Sequence, residues 1–129
     1  MKKIAFIGSG TMGTALATAA CKGVDPSEVV VTDFVQEKGK ELADRLGCRF
    51  VPTNTEAVKA AHYVVFCVKP QFLKGVLEEV KPAFEACAAA GEETIIVSIV
   101  AGVEVSTYVK ELELEGKNAP VIRILPNTA

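Results

Sequence analysis

Gly8, Gly10 and Gly13 stand in the spacing GxGxxG within the run Gly8-Ser9-Gly10-Thr11-Met12-Gly13, and Asp33 follows 20 residues after the last of them. Those residue types at those intervals could hold a dinucleotide. A glycine turn that opens a helix presents unpaired backbone amides and the positive end of the helix dipole, where a pyrophosphate can sit. Gly8 would permit the tight turn, Gly10 would let the backbone approach the phosphates, and Gly13 would let the helix lie close on the strand before it. Asp33 ends the apolar run Val29-Val30-Val31-Thr32, and a carboxylate there can accept both hydroxyls of an adenosine ribose.

A bare GxGxxG is most often only a turn, so the elements around it decide. A strand beginning near residue 3 and running to Ile7 precedes the motif, and Met12, Leu16 and Ala19, with Ala15 and Ala20, recur at helical spacing after it. Strand, glycine turn, helix, second strand and acid together make the dinucleotide fingerprint. The acid also bears on which dinucleotide. At about 4 Å and an effective dielectric near 20, one charge pair costs about 4 kcal/mol. Asp33 therefore favours NADH over NADPH and its 2′-phosphate. Phe34-Val35-Gln36-Glu37 offer no base to offset this; Lys38 and Lys40 come later and could compensate in part. The other reading of Asp33 is an outward side chain that caps the next helix.

Farther along, Asp25-Pro26-Ser27 reads as a turn, and a helix from Gln36 carries Gly39, Leu42, Ala43 and Leu46 on one face before Gly47 stops it. Cys48 to Val51 reads as a third strand, and Thr53-Asn54-Thr55-Glu56 as a capping box opening a brief helix to Ala61. Tyr63 to Val68, apolar on both faces, must be covered above and below, as in parallel sheets. Lys69-Pro70-Gln71 interrupts it. A helix then places Phe72, Val76, Leu77, Val80, Phe84 and Cys87 on one side, with Pro82 a candidate kink and Gly91 its end. Thr94 to Ile99, a helix bearing Val105, Tyr108, Val109 and Leu112, and Val121 to Leu125 complete the pattern. The expectation is an α/β fold of the doubly wound, Rossmann type: a mainly parallel six-stranded sheet in the order 3-2-1-4-5-6, helices on both faces, ligand across the carboxyl ends of strands one and four.

Composition narrows the functions. At 129 residues the chain is one domain in length, half of it hydrophobic, and no apolar run approaches a membrane span. The 14 basic and 16 acidic residues are scattered, which argues against a nucleic-acid surface and for a small-molecule ligand. Cys21, Cys48, Cys67 and Cys87 form no CxxC pair and the chain has a single histidine, so neither a metal site nor a redox pair is suggested. They read as reduced thiols of a cytoplasmic protein, with Cys67 the clearest case for core packing. His62 falls at the wrong end of the fourth strand for chemistry and reads as a surface residue.

IGSGTMGTAL at the start, FCVKPQ after the fourth strand, VSIVAGV after the fifth and IRILPNT at the end resemble the N-terminal domain of pyrroline-5-carboxylate reductase, from Lys3 to Thr128. In that family a proline often follows the Asn-Thr pair, where this chain has Ala129. The resemblance implies that residues 1–129 form an NAD(P)-binding domain with Gly8, Ser9, Gly10, Thr11, Met12 and Gly13 along the pyrophosphate and Asn54 near the adenosine half. It implies Val68, Lys69 and Pro70 beside the nicotinamide and its ribose, and Ala101 with Gly102 flanking the same end. By themselves, Lys69-Pro70 and Ala101-Gly102 read equally as plain turns. The activity implied is hydride transfer to the carbon of a cyclic imine, pyrroline-5-carboxylate, giving L-proline, with neither metal nor nucleophile. Substrate groups and homo-oligomer contacts would come from a C-terminal helical domain, so that this stretch holds cofactor, carries no catalytic residue of its own and does not turn over. The competing readings are a reductase of the β-hydroxyacid dehydrogenase or coenzyme F420-dependent type, which carry other residues in place of VKPQ and LPNT, and a non-catalytic NAD(H)-sensing module.

Overall fold

Strands that are apolar on both faces need helices on both faces. The computed structural model describes residues 3–8, 10–100, 102–114 and 120–124, and in it that demand is met. Strands β1 (Ile4–Ile7), β2 (Val29–Thr32), β3 (Arg49–Phe50), β4 (Tyr63–Phe66), β5 (Ile95–Ser98) and β6 (Val121–Arg123) alternate with helices α1 (Thr11–Gly23), α2 (Gln36–Leu46), α3 (Asn54–Ala60), α4 (Pro70–Ala89) and α5 (Val105–Glu111). They form one sheet in the order β3-β2-β1-β4-β5-β6, with every neighbouring pair parallel. This is the expected order. Ile7 stands opposite both Thr32 and Phe66, so the chain leaves β1 at the switch point between the two halves of the sheet, where ligands bind in such folds.

Alternation along each strand divides the core. Ala5 and Ile7 of β1, with Val30, Val64 and Phe66, pack beneath α3, α4 and α5. Phe6, Val29, Val31 and Val65 pack on the other face beneath α1 and α2. One polar pair lies within: the buried Ser98 and Tyr108 hydroxyls hydrogen-bond each other, and the Tyr108 ring lies 5.5 Å from that of Phe66. Tyr108 and Leu112 are the buried members of the predicted α5 face, while Val105 and Val109 are half-buried.

Helix ends follow local chemistry. Gly47 (φ 72°) takes the left-handed conformation that ends α2, with the Cys48 amide returning to the Ala43 carbonyl. Gly91 (φ 77°) does the same after α4, and the Glu92 amide bonds the Cys87 carbonyl. At α3 the Thr53 hydroxyl accepts from the Glu56 amide at 3.1 Å and donates to the Glu56 carboxylate at 3.3 Å, a variant of the capping box expected there. The predicted strands overrun the observed ones by a residue or two, yet Val51, Cys67 and Ile99 still donate to the neighbouring strand. Leu125, expected to end the last strand, lies outside the described residues.

Two packing expectations are corrected. The buried line of α1 runs through Gly13 and Ala17, and Ala15 and Ala19 face solvent. The helix lies closest on the sheet at Gly13, and Leu16 and Ala20 pack against the core from its flank. On α4, Leu73 enters the core and Phe72 is 58% exposed, because the apolar residues lie on two sides of the helix. Pro82 sits on its exposed side, and the helix continues past it to Ala89. All four cysteines are free, as expected, although Cys21 and Cys48, 27 positions apart, lie near enough that each thiol bears on the other's titration. No helix among the described residues is long and apolar enough to cross a membrane.

The contact of α1 with the sheet is tight enough to test. A Cβ on Gly13 would stand 2.7 Å from the Gly8 carbonyl oxygen and 3.0 Å from Cys67 Cβ, whereas one on Gly75, within α4, would meet nothing inside 4 Å. Gly13→Ala should lose about 1–3 kcal/mol through overpacking. Gly75→Ala should gain about 0.5–1 kcal/mol from helix propensity. Urea unfolding of the two variants measures both, and equal effects would mean that the close approach is not a constraint.

Candidate functional site

The carboxyl ends of β1, β2 and β4 converge on a cleft of about 460 Å³. Gly8 and Gly10 form one wall, Asp33, Phe34, Val35 and Lys38 continue it beyond β2, and Cys67, Val68 and Lys69 enter from the end of β4. Asn54 from the start of α3 and Phe72, Gly75, Val76 and Glu79 from α4 complete it. A larger hollow of about 620 Å³ runs along α5 and gathers none of the expected residues.

The backbone explains why the glycines stand where they do. Gly8, at φ 95°, takes a conformation that L side chains rarely adopt, and its amide donates to the Thr32 carbonyl at 3.0 Å. A Cβ there would touch the Cys67 carbonyl group at 3.0 Å. Gly10 caps α1 without a side chain, so no capping side chain occupies the first-turn amides of Thr11, Met12 and Gly13, and no acid stands among them. This is the geometry in which a helix start receives an anion.

Six of the thirteen expected residues line the cleft: Gly8, Gly10, Asp33, Asn54, Val68 and Lys69. Thr11, Met12 and Gly13 belong to the turn but do not face the open volume, and Gly13 is buried under it. Pro70 is the first residue of α4, exposed and outside the lining, so it sets the direction of the helix. Gly102, at φ 73°, is an exposed turn residue that does not line the cleft. Ser9 and Ala101 lie outside the described residues. His62 is exposed at the amino end of β4, as expected.

Asp33 is half-buried, and its Oδ1 accepts from the Val35 amide at 2.8 Å. The side chain thus folds over its own turn, and α2 has no side-chain cap. Gln36 ties the turn down by donating from Nε2 to the carbonyls of Pro52 at 2.9 Å and Asp33 at 3.3 Å. Of the two lysines that could offset Asp33, Lys38 lines the cleft, and Lys40 lies over the Phe50 ring 5.8 Å from its centre. The stripe Phe72, Gly75, Val76 and Glu79 was missed. Its spacing of i, i+3, i+4 and i+7 was present in the sequence, but its apolar members were absorbed into the core face.

Comparison with known proteins agrees with this geometry. A family model described as NADP oxidoreductase, coenzyme F420-dependent, matches residues 3–102. Pyrroline-5-carboxylate reductase of Methanosarcina acetivorans is 36% identical over 130 residues, covering 99% of this chain and 45% of the relative. The enzyme of the same name from Corynebacterium melassecola is 33% identical over 129 residues, covering 99% and 46%. A solved pyrroline-5-carboxylate reductase from Coxiella burnetii superposes with a TM-score of 0.80 at 28% identity, over 98% of this chain and 44% of that one. The chain therefore spans less than half the length of the curated relatives it matches.

Cys67, expected in the core, is half-buried and forms part of the cleft wall. Burial pushes its thiol up to about 12, so at neutral pH it is a neutral SH and no nucleophile. Against an ordinary thiol near 8.5, alkylation of Cys67 at pH 8 should be about a thousandfold slower and should rise tenfold per pH unit. Peptide mass spectrometry after iodoacetamide treatment reads this directly; rapid labelling at pH 8 would show that the wall is open there.

Proposed function

The chain belongs to the NADP oxidoreductase, coenzyme F420-dependent, family, and from that premise we propose that it is the dinucleotide-holding part of an NAD(P)H-dependent reductase whose acceptor is the cyclic imine pyrroline-5-carboxylate. The observation that carries the first half of this reading is the cleft that joins an uncapped glycine turn to Asp33 across the switch point of a parallel sheet. The second half rests on relatives of that name, which match the chain from end to end, including residues 103–129 beyond the family match.

In this reading the amides of Thr11, Met12 and Gly13 receive the pyrophosphate, and the residues from Gly8 to Gly13, Ser9 included, form its cradle. Asp33 accepts the adenosine ribose hydroxyls. Val68 and Lys69, with Pro70 behind them, border the nicotinamide ribose, and Ala101 and Gly102 close that end. When bound, the reduced nicotinamide supplies a hydride, and the protonated imine carbon of the acceptor takes it to give the amine of L-proline. What the protein contributes is position and the exclusion of water, which in well-oriented systems accounts for about 7–11 kcal/mol of barrier. The neutral Cys67 thiol adds no charge to that wall. In the same reading acceptor-binding groups and subunit contacts come from a C-terminal helical domain, and the protein acts as a cytoplasmic homo-oligomer.

NADH is the favoured cofactor. Asp33 repels a 2′-phosphate, and Lys38 alone of the two nearby lysines can answer it. Asp33→Ser should lower the ratio of NADH to NADPH affinity by about tenfold or more, and Lys38→Ala should weaken NADPH more than NADH. An unchanged ratio in Asp33→Ser would discard the argument for NADH without touching the fold.

The function is tested by oxidation of NADH and NADPH with pyrroline-5-carboxylate, using the protein as encoded in full and following proline. Proline formed faster with NADH is the expected result, and residues 1–129 alone should bind the cofactor without turnover. No proline with either cofactor would reject the acceptor proposed here.

A further inference from the structure

Helix α4 has two working sides. Leu73, Leu77, Val80, Ala83, Phe84 and Cys87 enter the core, and Phe72, Gly75, Val76 and Glu79 face the cleft one turn after another. Phe72 and Val76 give that side an apolar surface, and the missing side chain of Gly75 leaves open space between them. Across the cleft stand Phe34 and Val35, exposed at 98% and 44%. Two apolar walls rooted in different elements therefore border one slot beside Asp33, in a cleft of about 460 Å³.

A polar pair belongs to the same slot. Asn54 Nδ2 donates to Glu79 Oε2 at 3.0 Å. The orientation of the amide follows from chemistry, since a carboxylate can only accept. Glu79 thus turns the Asn54 NH2 toward itself and leaves a second N–H donor beside a carboxylate acceptor. Donor next to acceptor is the complement of the edge of adenine, where a ring nitrogen accepts and the exocyclic amine donates.

We propose that Glu79, paired with Asn54, reads the adenine base of the dinucleotide: Glu79 accepts from the exocyclic amine, Asn54 donates to the adjacent ring nitrogen, and Phe34, Phe72 and Val76 hold the ring faces. This rests on the cofactor reading of the cleft and extends it from the ribose to the base. Glu79 is on this view a specificity residue, with Asn54 the partner it positions. The carboxylate excludes a base that presents a carbonyl oxygen in place of the amine, because two acceptors would then face each other.

The test compares binding of NADH with that of reduced nicotinamide hypoxanthine dinucleotide, which differs by that one substitution, titrated calorimetrically against the chain. The unaltered chain should bind NADH about tenfold or more tighter. In Glu79→Gln the side chain can donate as well as accept and no longer fixes the Asn54 amide, so the two affinities should come within about twofold. Glu79→Ala should abolish the preference as well. Glu79 is exposed, and circular dichroism should show both variants folded. Equal binding of the two dinucleotides by the unaltered chain, or a Glu79→Gln variant that weakens both alike, would overturn the assignment and leave the cofactor reading standing. Binding of neither dinucleotide would overturn the cofactor reading and this proposal with it.

Discussion

The close approach of α1 to the ends of β1 and β4 is the constraint on which the site depends. Gly13 lies where its own Cβ would overlap the Gly8 carbonyl, and Gly8 lies where a side chain would strike Cys67. The two glycines let three elements meet at Cys67 without a side chain of their own between them. The helix is thereby aimed, amide end first, across the edge of the sheet. A Cβ at either glycine would press α1 away from the sheet edge, so here the demands of packing and of the proposed anion site coincide.

The helices around the cleft start in a manner consistent with that use. Among the described residues α3 has a side-chain cap, from Thr53, while α1, α2 and α4 begin without one. A serine, threonine or acid at those positions would satisfy the first-turn amides and stabilise α2 and α4 by about 0.5–2 kcal/mol, and α1, whose cap is Gly10, by a few tenths. It would also occupy donors that a ligand could use. The stability forgone at α1 is supplied elsewhere, by the strands whose faces bury Ala5, Val29, Val30 and Val64 completely.

The strand order, the glycine turn and the acid after β2 were legible in the sequence because each follows from a local rule: apolar runs alternate with helical periods, and glycines punctuate them. The cleft wall on α4 was not. Phe72 and Val76 satisfy the hydrophobic period of the helix as well as Leu73 and Leu77 do, and composition does not distinguish a residue facing the core from one facing an open slot. Cys67 packs against the core as expected, and its second role on the cleft wall was hidden for the same reason, since an apolar strand reads alike along its length. The nearness of Cys21 to Cys48 was beyond reach, because it depends on how the end of α1 lies against the start of β3 and no local spacing records that.

The turn from Asp33 to Gln36 shows how the protein holds a polar group ready without burying it. Asp33 is fixed by the Val35 amide, and Gln36 fixes the same turn to the Pro52 carbonyl before α3. The two bonds settle the carboxylate direction in advance, so little side-chain freedom remains to be lost when a ligand arrives. They also leave Phe34 with 98% of its surface in water, an arrangement that burial alone would not favour. A turn latched at both ends that presents a carboxylate and an aromatic ring to one cleft is organised for recognition, and the rigidity of the sheet beneath keeps those groups in register with the glycine turn.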